Sequence, residues 1–391
     1  MKALRNYLNK VKPEFEPGGK YQKLWSVFDG FESFLFVPNT TAPKVGAQIH
    51  DSVDSKRVMS IVVLALIPAL LVGMYNVGYQ HYLAIGETVN FLTTFIFGFL
   101  AVLPKIVVAY AVGLGIEFIV AQYKHHEIQE GFLVSGMLIP MIVPVDTPLW
   151  MIAVATAFAV VFAKEIFGGT GMNVFNVALI TRAFLFFAYP SKMSGDSVFV
   201  RTSDTFGIGA GNVVEGFSGA TPLSYAASGE PIKGIVGQSL SAWDGFLGLI
   251  PGSIGETSTL AILIGAAILL FTSVASWRIM LSVFAGGALM GWITYAAGAS
   301  TLTVADQIVF GGFAFAAVFM ATDPVTGCRT NTGKYIYGFL IGAIAIIIRV
   351  FNTGYPEGAM LAVLLMNVFA PLIDFYVVEA NIKRRLKRAN A

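Results

Sequence analysis

The sequence predicts an all-α polytopic membrane protein with about ten membrane segments, arranged as two inverted five-helix repeats that each contain a broken helix. Three observations predict it. Of the 391 residues, 56% are hydrophobic and only 12% charged, whereas soluble domains carry about 25% charged residues. Apolar stretches recur from Val58 onward, each near the ~20 residues that cross hydrocarbon at a rise of 1.5 Å per residue. Their pattern also repeats on either side of one long polar interruption, residues 190–256.

Residues 1–57 form an arm with too little contiguous apolar sequence to span a bilayer, interrupted by Pro13, Pro17, Gly18, Gly19, Pro38 and Pro43. No apolar core of signal-peptide type precedes residue 58, so no cleavage is expected. Two aromatic clusters, Tyr21 with Trp25 and Phe28, then Phe31, Phe34, Leu35 and Phe36, fall near helical spacing. They suit either a membrane-surface or partner contact, or a small satellite core.

Spans are expected near 58–78, 90–121, 149–167 and 173–189, and again near 257–276, 278–297, 333–351 and 358–377. Two further apolar stretches are interrupted. Pro140, Pro144 and Asp146 close 131–145, and Thr322, Asp323 and Pro324 close 307–323. Irregular backbone at membrane depth is tolerated only where protein buries it or it lines a cavity, and equivalent interruptions in two halves point to a binding site near the midplane. The ends of the halves echo each other weakly, in Gly171 to Asn176 and Leu365 to Ala370.

Charge sets the expected orientation. The arm holds nine Lys and Arg residues and the tail adds Lys383, Arg384, Arg385, Lys387 and Arg388, whereas the 190–256 loop has Lys192, Arg201 and Lys233 against six acids. By the positive-inside rule both termini are cytoplasmic and the loop is outside. The expected organisation is an arm (1–57), a first membrane repeat (58–189), an extracytoplasmic loop (190–256), a second repeat (257–377) and a basic tail (378–391). The single Cys328 cannot hold an iron–sulfur cluster, and His50, His81, His125 and His126 are too scattered for a transition-metal site. No nucleic-acid partner is expected.

Polar residues in apolar surroundings are the candidates for chemistry. Glu117, Asp323 and Asp374 lie within or beside apolar sequence, where an ionised carboxylate costs about 2.5–3.5 kcal/mol on insertion scales. Hard carboxylate oxygens suit Na⁺ or a relayed proton; the alternative pairs them structurally with Lys105, Arg349 or Arg182. Asn173 and Asn176, three apart, are expected on one side of the following helix, where their amides suit the edge of an isoalloxazine ring or plain interhelical hydrogen bonds. Lys164 to Gly171 puts charges and three glycines at a helix junction, which lets backbone approach a planar ring or simply breaks the helix.

One short run is more specific. Glu215-Gly216-Phe217-Ser218-Gly219-Ala220-Thr221 resembles the sequence at which a flavin transferase esterifies FMN to a threonine hydroxyl. The alternative is an ordinary Ser-Gly turn before Pro222.

Almost end to end, the chain resembles the B-subunit family of the Na⁺-translocating NADH:quinone oxidoreductases. The resemblance rests on Phe15 to Lys20, Asp51 to Asp54, Glu130-Gly131-Phe132, Lys164 to Gly171, Arg182 to Pro190, Ile250 to Glu256, Ala321 to Val325, Tyr355 to Gly358 and Asn381 to Leu386. It implies an architecture like that of urea transporters, in a bacterial cytoplasmic (inner) membrane. It further implies covalent FMN on Thr221, non-covalent riboflavin near Asn173 and Asn176, and quinone and inhibitor contacts at Gly113, Leu114, Phe132 and Leu133. A Na⁺ path through Glu117, Asp323 and Asp374 follows from it as well. The implied partners are the other members of a six-subunit complex, among them the FMN-bearing C-type and quinone-site A-type members, together with quinone and a flavin transferase.

Departures from the family pattern are Glu215 for an aspartate, Val177 for a frequent proline, and Leu114 and Leu133 for a glycine and an aromatic. The alternatives are the D-type member of an Rnf-type ferredoxin:NAD⁺ oxidoreductase, which lacks the long arm, and a flavin-free transporter of the same fold.

Overall fold

The computed structural model describes residues 2–16, 18–25, 27, 28, 30, 32, 36, 55–124, 131–352, 354, 355 and 357–390. Phe31, Phe34, Leu35, Asp51 to Asp54, Glu130, His50, His125 and His126 lie outside the described residues. Among those described, the only extended pairings are two isolated bridges, Thr205 with Ile208 and Lys233 with Ser239, and the remaining regular structure is helical.

In the arm, α1 (Lys2–Phe15) carries apolar residues at helical spacing. Phe15 stacks on Phe28 at 4.8 Å and lies 5.6 Å from Tyr21, while Trp25 sits 6.2 Å from Phe28. These rings form a small cluster of their own, tied by the Lys12–Glu32 ion pair at 2.8 Å.

The first half continues with α2 (Ser55–Ile85), α3 (Phe91–Lys124), α4 (Phe132–Met141), α5 (Leu149–Ala159) and α6 (Val177–Ala188). The polar interruption contributes two short helices, α7 (Pro222–Ser228) and α8 (Ala242–Leu247). The second half comprises α9 (Thr259–Phe271), α10 (Trp277–Ala296), α11 (Val304–Val309), α12 (Phe313–Phe315), α13 (Asn331–Phe351) and α14 (Ala359–Ala389).

Five helices are long and apolar enough to cross a membrane: Arg57–Ile85 within α2, then α3, α10, α13 and α14. The chain is an integral membrane protein. Pro68, Pro104 and Pro371 lie inside three of these helices, as membrane helices allow when neighbours re-satisfy the freed carbonyls.

The other expected spans are shorter than the apolar stretches that encode them. α6 covers 12 residues, about 18 Å at 1.5 Å each, because the Asn176 side chain caps its start and Tyr189-Pro190 ends it. α9 begins only after the Ser258 side chain accepts from the Ala261 N–H. The stretch 307–323 divides: α11 ends at Val309, and α12 runs into a π-helical turn, Ala316–Met320. A second π turn, Val160–Glu165, extends α5. The two π turns lead directly into the irregular segments that contain Asn173 and Asp323, and π turns inside helices recur at functional sites.

One hydrophobic core runs through both halves, from Ala65 on α2 to Ala370 on α14. α2 packs on α3 and α9, α3 on α4 and α5, and α10 on α13, which packs on α14. Where α3 crosses α2, a Cβ on Gly98 would strike the Met74 backbone, so glycine permits the close approach that helix association in lipid favours.

Candidate functional site

Two of the cavities that contain residues singled out from the sequence bear on the site. The first, a cleft of about 100 Å³, lies between the halves and is lined by Val62 of α2, Ser135 of α4, Leu269 of α9, Phe319, and the polar residues Lys164, Thr170, Asn173, Asn176 and Asp323. Asn173 and Asn176 do not lie along one face of a helix, as their spacing predicts. Asn173 sits in the turn before α6, where its amide donates to the Phe175 carbonyl at 3.0 Å. Asn176 is the N-cap: its Oδ1 accepts from the Leu179 N–H at 3.2 Å, and its Nδ2 donates to Asp323 Oδ2 at 3.3 Å. Capping consumes the carbonyl end of the side chain and points the amino end at the opposite half.

Asp323 is held from its own side as well. Its oxygens accept from the Val325 N–H at 3.0 Å and the Thr326 hydroxyl at 3.1 Å. No cation pairs with it among the described ion pairs. Behind the same cleft, Lys164 on the π turn donates to Glu117 Oε1 of α3, with both side chains buried. The second oxygen, Glu117 Oε2, is buried without a protein partner, as is Thr170 Oγ1. A buried oxygen left free in this way has capacity for a cation, a water or a ligand N–H.

Asp374 lies apart from the cleft. It accepts from the Arg329 N–H at 2.7 Å, the Thr330 N–H at 3.0 Å and the Thr330 hydroxyl at 2.5 Å, and so fixes the chain entering α13. The structural pairings weighed from the sequence are therefore replaced by others: Lys105 donates to the Thr147 carbonyl at 2.7 Å, and Arg349 donates to the carbonyls of Gln307 and Glu357.

Of Gly113, Leu114, Phe132 and Leu133, the first and third meet where α3 packs on α4. The Phe132 ring is fully buried, and it occupies the space that a Cβ on Gly113 would need. Tyr110 stands edge-on to Phe132 at 6.5 Å and its hydroxyl donates to the Leu133 carbonyl at 2.5 Å. Leu114 and Leu133 are half-buried.

The second cavity, about 400 Å³, is lined by Thr221, Ser224 and Ser228 of the polar loop, Arg182 and Phe186 of α6, and Tyr355 and Glu357. Thr221 is not on a free loop tip. It caps α7, its Oγ1 accepting from the Ser224 N–H at 3.3 Å, and it is half-buried on the cavity wall. Ser218 is fixed by the Tyr225 hydroxyl at 2.9 Å, whereas Glu215 is exposed.

Sequence reasoning did not identify the charged floor of this cavity. Arg182 is buried, donating to Glu256 at 2.5 Å and also to Glu357. The signal was present in Glu256, placed just before an apolar run, and in Glu357, within an irregular segment between two long helices. Their convergence on one guanidinium needs three distant segments to fold together. The Tyr355 hydroxyl is buried beside the Glu357 carboxylate.

A family profile described as the NQR2, RnfD, RnfE family matches residues 43–383. The chain is 44% identical over 412 residues to the B subunit of the Na(+)-translocating NADH-quinone reductase of Chromohalobacter salexigens, covering 99% of this chain and 97% of that one. It is 43% identical to the same-named protein of Pseudomonas aeruginosa (strain LESB58) and 41% identical to that of Azotobacter vinelandii, each over 414 residues and 99% of both chains.

Proposed function

Because the chain belongs to the NQR2, RnfD, RnfE family, we propose that it is the membrane flavoprotein subunit of a sodium-pumping NADH:quinone oxidoreductase. The arm favours this reading over an Rnf-type protein: the shared family profile begins at residue 43, whereas the relatives named as B subunits match 99% of the chain. In this reading the 44% identity over nearly the whole chain carries the activity, and the cleft joining Asn176 to Asp323 carries the site.

Thr221 is the attachment point for FMN through a phosphoester, and Asn173 and Asn176 hold riboflavin in the cleft. Polar groups that a flavin can use line both: the outer cavity has Tyr355 and Arg182 beside the threonine, and the cleft, which must widen to admit an isoalloxazine ring, offers Thr170 Oγ1. Flavins supply reversible one- and two-electron transfer. The protein's part is to hold Thr221 at a capped, half-buried position, keep bulk water from the cleft with Val62, Leu269 and Phe319, and fix the Asn176 amide through Leu179.

Sodium is the transported ion. Glu117 and Asp323 flank the cleft as hard oxygen ligands, and Asp374 continues the path. Quinone is reduced beside Gly113, Leu114, Phe132 and Leu133. The basic arm and tail support cytoplasmic termini in an inner membrane, with Thr221 outside. Two sets of five segments in inverted orientation are supported by the paired π turns, each followed by a threonine- or asparagine-capped helix, α6 and α13. The expected partners are the remaining members of the complex, including its FMN-bearing C-type and quinone-site A-type proteins, and the flavin transferase.

The test is in-gel fluorescence of the denatured chain from a complex co-expressed with its flavin transferase. Fluorescence is expected with Thr221 and absent in Thr221→Ala. A dark band from the unaltered chain would overturn the covalent-flavin assignment.

A further inference from the structure

The loop segment 201–209 is a small hairpin with an unusual tip. Thr205 and Ile208 exchange both backbone hydrogen bonds, at 2.9 and 3.0 Å, and the two residues between them have positive φ, 53° at Phe206 and 81° at Gly207. Two successive positive φ values define the tight turn that usually takes Asn-Gly. Phenylalanine is disfavoured there because its Cβ crowds the backbone, and this residue is 79% exposed. Neither local propensity nor burial accounts for it.

The surroundings hold the tip rigidly. The His81 ring of α2 is buried and spans the two stems, with Nδ1 2.6 Å from the Arg201 carbonyl oxygen and Nε2 2.8 Å from that of Gly209. It stacks on Phe97 at 3.9 Å, and a Cβ on Gly209 would strike both rings. The Gly207 N–H donates to Asp204 Oδ2 at 2.9 Å, and Arg201 donates to the Asp204 carbonyl at 3.1 Å. Strained positions persist only where their surroundings over-determine them, and they concentrate at sites of function.

We propose that Phe206 is a docking anchor that enters an apolar pocket on another protein of the same enzyme complex, on the side of the membrane that carries Thr221. The proposal rests on the functional reading given above. A single aromatic ring, fixed in place before binding, suits a pocket on a folded partner, because ordering costs are already met. Lipid makes no such demand: it adapts to a mobile side chain, and its interface favours Trp, Tyr, Lys and Arg. The charged residues beside the ring, Arg201 and Asp204, are bonded within the hairpin, so the contact offered to the partner is apolar.

Photocrosslinking in the assembled complex tests this. With p-benzoylphenylalanine in place of Phe206, irradiation is expected to join this chain to a second protein of the complex; crosslinks to lipid alone, or none in an intact complex, would overturn the proposal. Phe206→Gly, which fits a positive φ, is expected to leave the thermal stability of the chain unchanged or raised while weakening partner retention about tenfold or more, as loss of a binding hot spot does. Unchanged retention would equally overturn it. If no other protein co-purifies with the unaltered chain, the reading of the chain as part of a complex itself fails, a result distinct from an intact complex without a crosslink.

Discussion

The side-chain amide of Asn176 donates to the carboxylate of Asp323 across 3.3 Å, joining residues 147 positions apart. One caps the helix after the first π turn and the other lies just beyond the second. The bond therefore links the irregular segments of both halves at the cleft, where ion handling and flavin binding would be coupled. Asp323→Asn is expected to weaken the sodium dependence of quinone reduction and to lower stability by about 1.5–3 kcal/mol, the range for hydrogen bonds to a charged group. Steady-state rates across a sodium titration check the first, and thermal unfolding the second; an unchanged sodium response would remove Asp323 from the path.

Glu117 and Lys164 form a buried pair. Glu117→Gln strands the ammonium and is expected to cost about 3–5 kcal/mol. The double variant Glu117→Gln with Lys164→Met is expected to recover most of that loss in unfolding experiments. A double variant no more stable than Glu117→Gln would contradict the pairing.

Thr221 has a structural role separable from any attached group, because its hydroxyl caps α7. Thr221→Ala is expected to lose about 1 kcal/mol of capping energy, along with in-gel fluorescence, while Thr221→Ser keeps the cap. Hydrogen exchange over Pro222–Ser228 reports the capping loss even where no flavin is attached.

Gly113→Ala puts a methyl group into the space of the Phe132 ring. Overpacking of this kind costs about 1–3 kcal/mol, and the displaced ring is expected to raise the KM for quinone. A wild-type KM in a folded variant would separate this contact from the quinone site.

In the polar loop, Asp244 accepts from the Ser241 N–H at 2.8 Å and hydroxyl at 2.7 Å. These bonds lower its pKa below the ordinary 3.8. A lowered carboxyl pKa stabilises the folded form above the ordinary value, and the contribution is lost as pH falls below it through the folded value. Exchange protection of Ala242–Leu247 is thus expected to decline on acidification below about pH 4, and Ser241→Ala should shrink that decline.

Much of the fold was legible because lipid imposes a length and a polarity on every crossing. Val58, Phe91, Trp277 and Asn331 lie close to helix starts found in the structure. Helix ends at α6 and α9 were less legible, since an apolar run does not reveal where Asn176 or Ser258 will cap it. At the candidate site, residue types were readable and partners were not: Lys105, Arg349 and Arg182 were the cations weighed for the acids, but Glu117 meets Lys164, and Asp374 meets the Arg329 and Thr330 N–H groups and the Thr330 hydroxyl.

Residue order alone establishes a helical membrane protein, its family resemblance, and the polar residues whose presence in apolar surroundings demands a reason. Those conclusions follow from composition, periodicity and local motifs, which are properties of neighbouring residues. It takes the folded arrangement to show that Asn176 and Asp323 share a cleft, that Arg182 gathers Glu256 and Glu357 beneath Thr221, and that His81 braces the Phe206 turn. Each joins segments far apart in the chain, and buried polar groups choose partners by geometry after the helices pack.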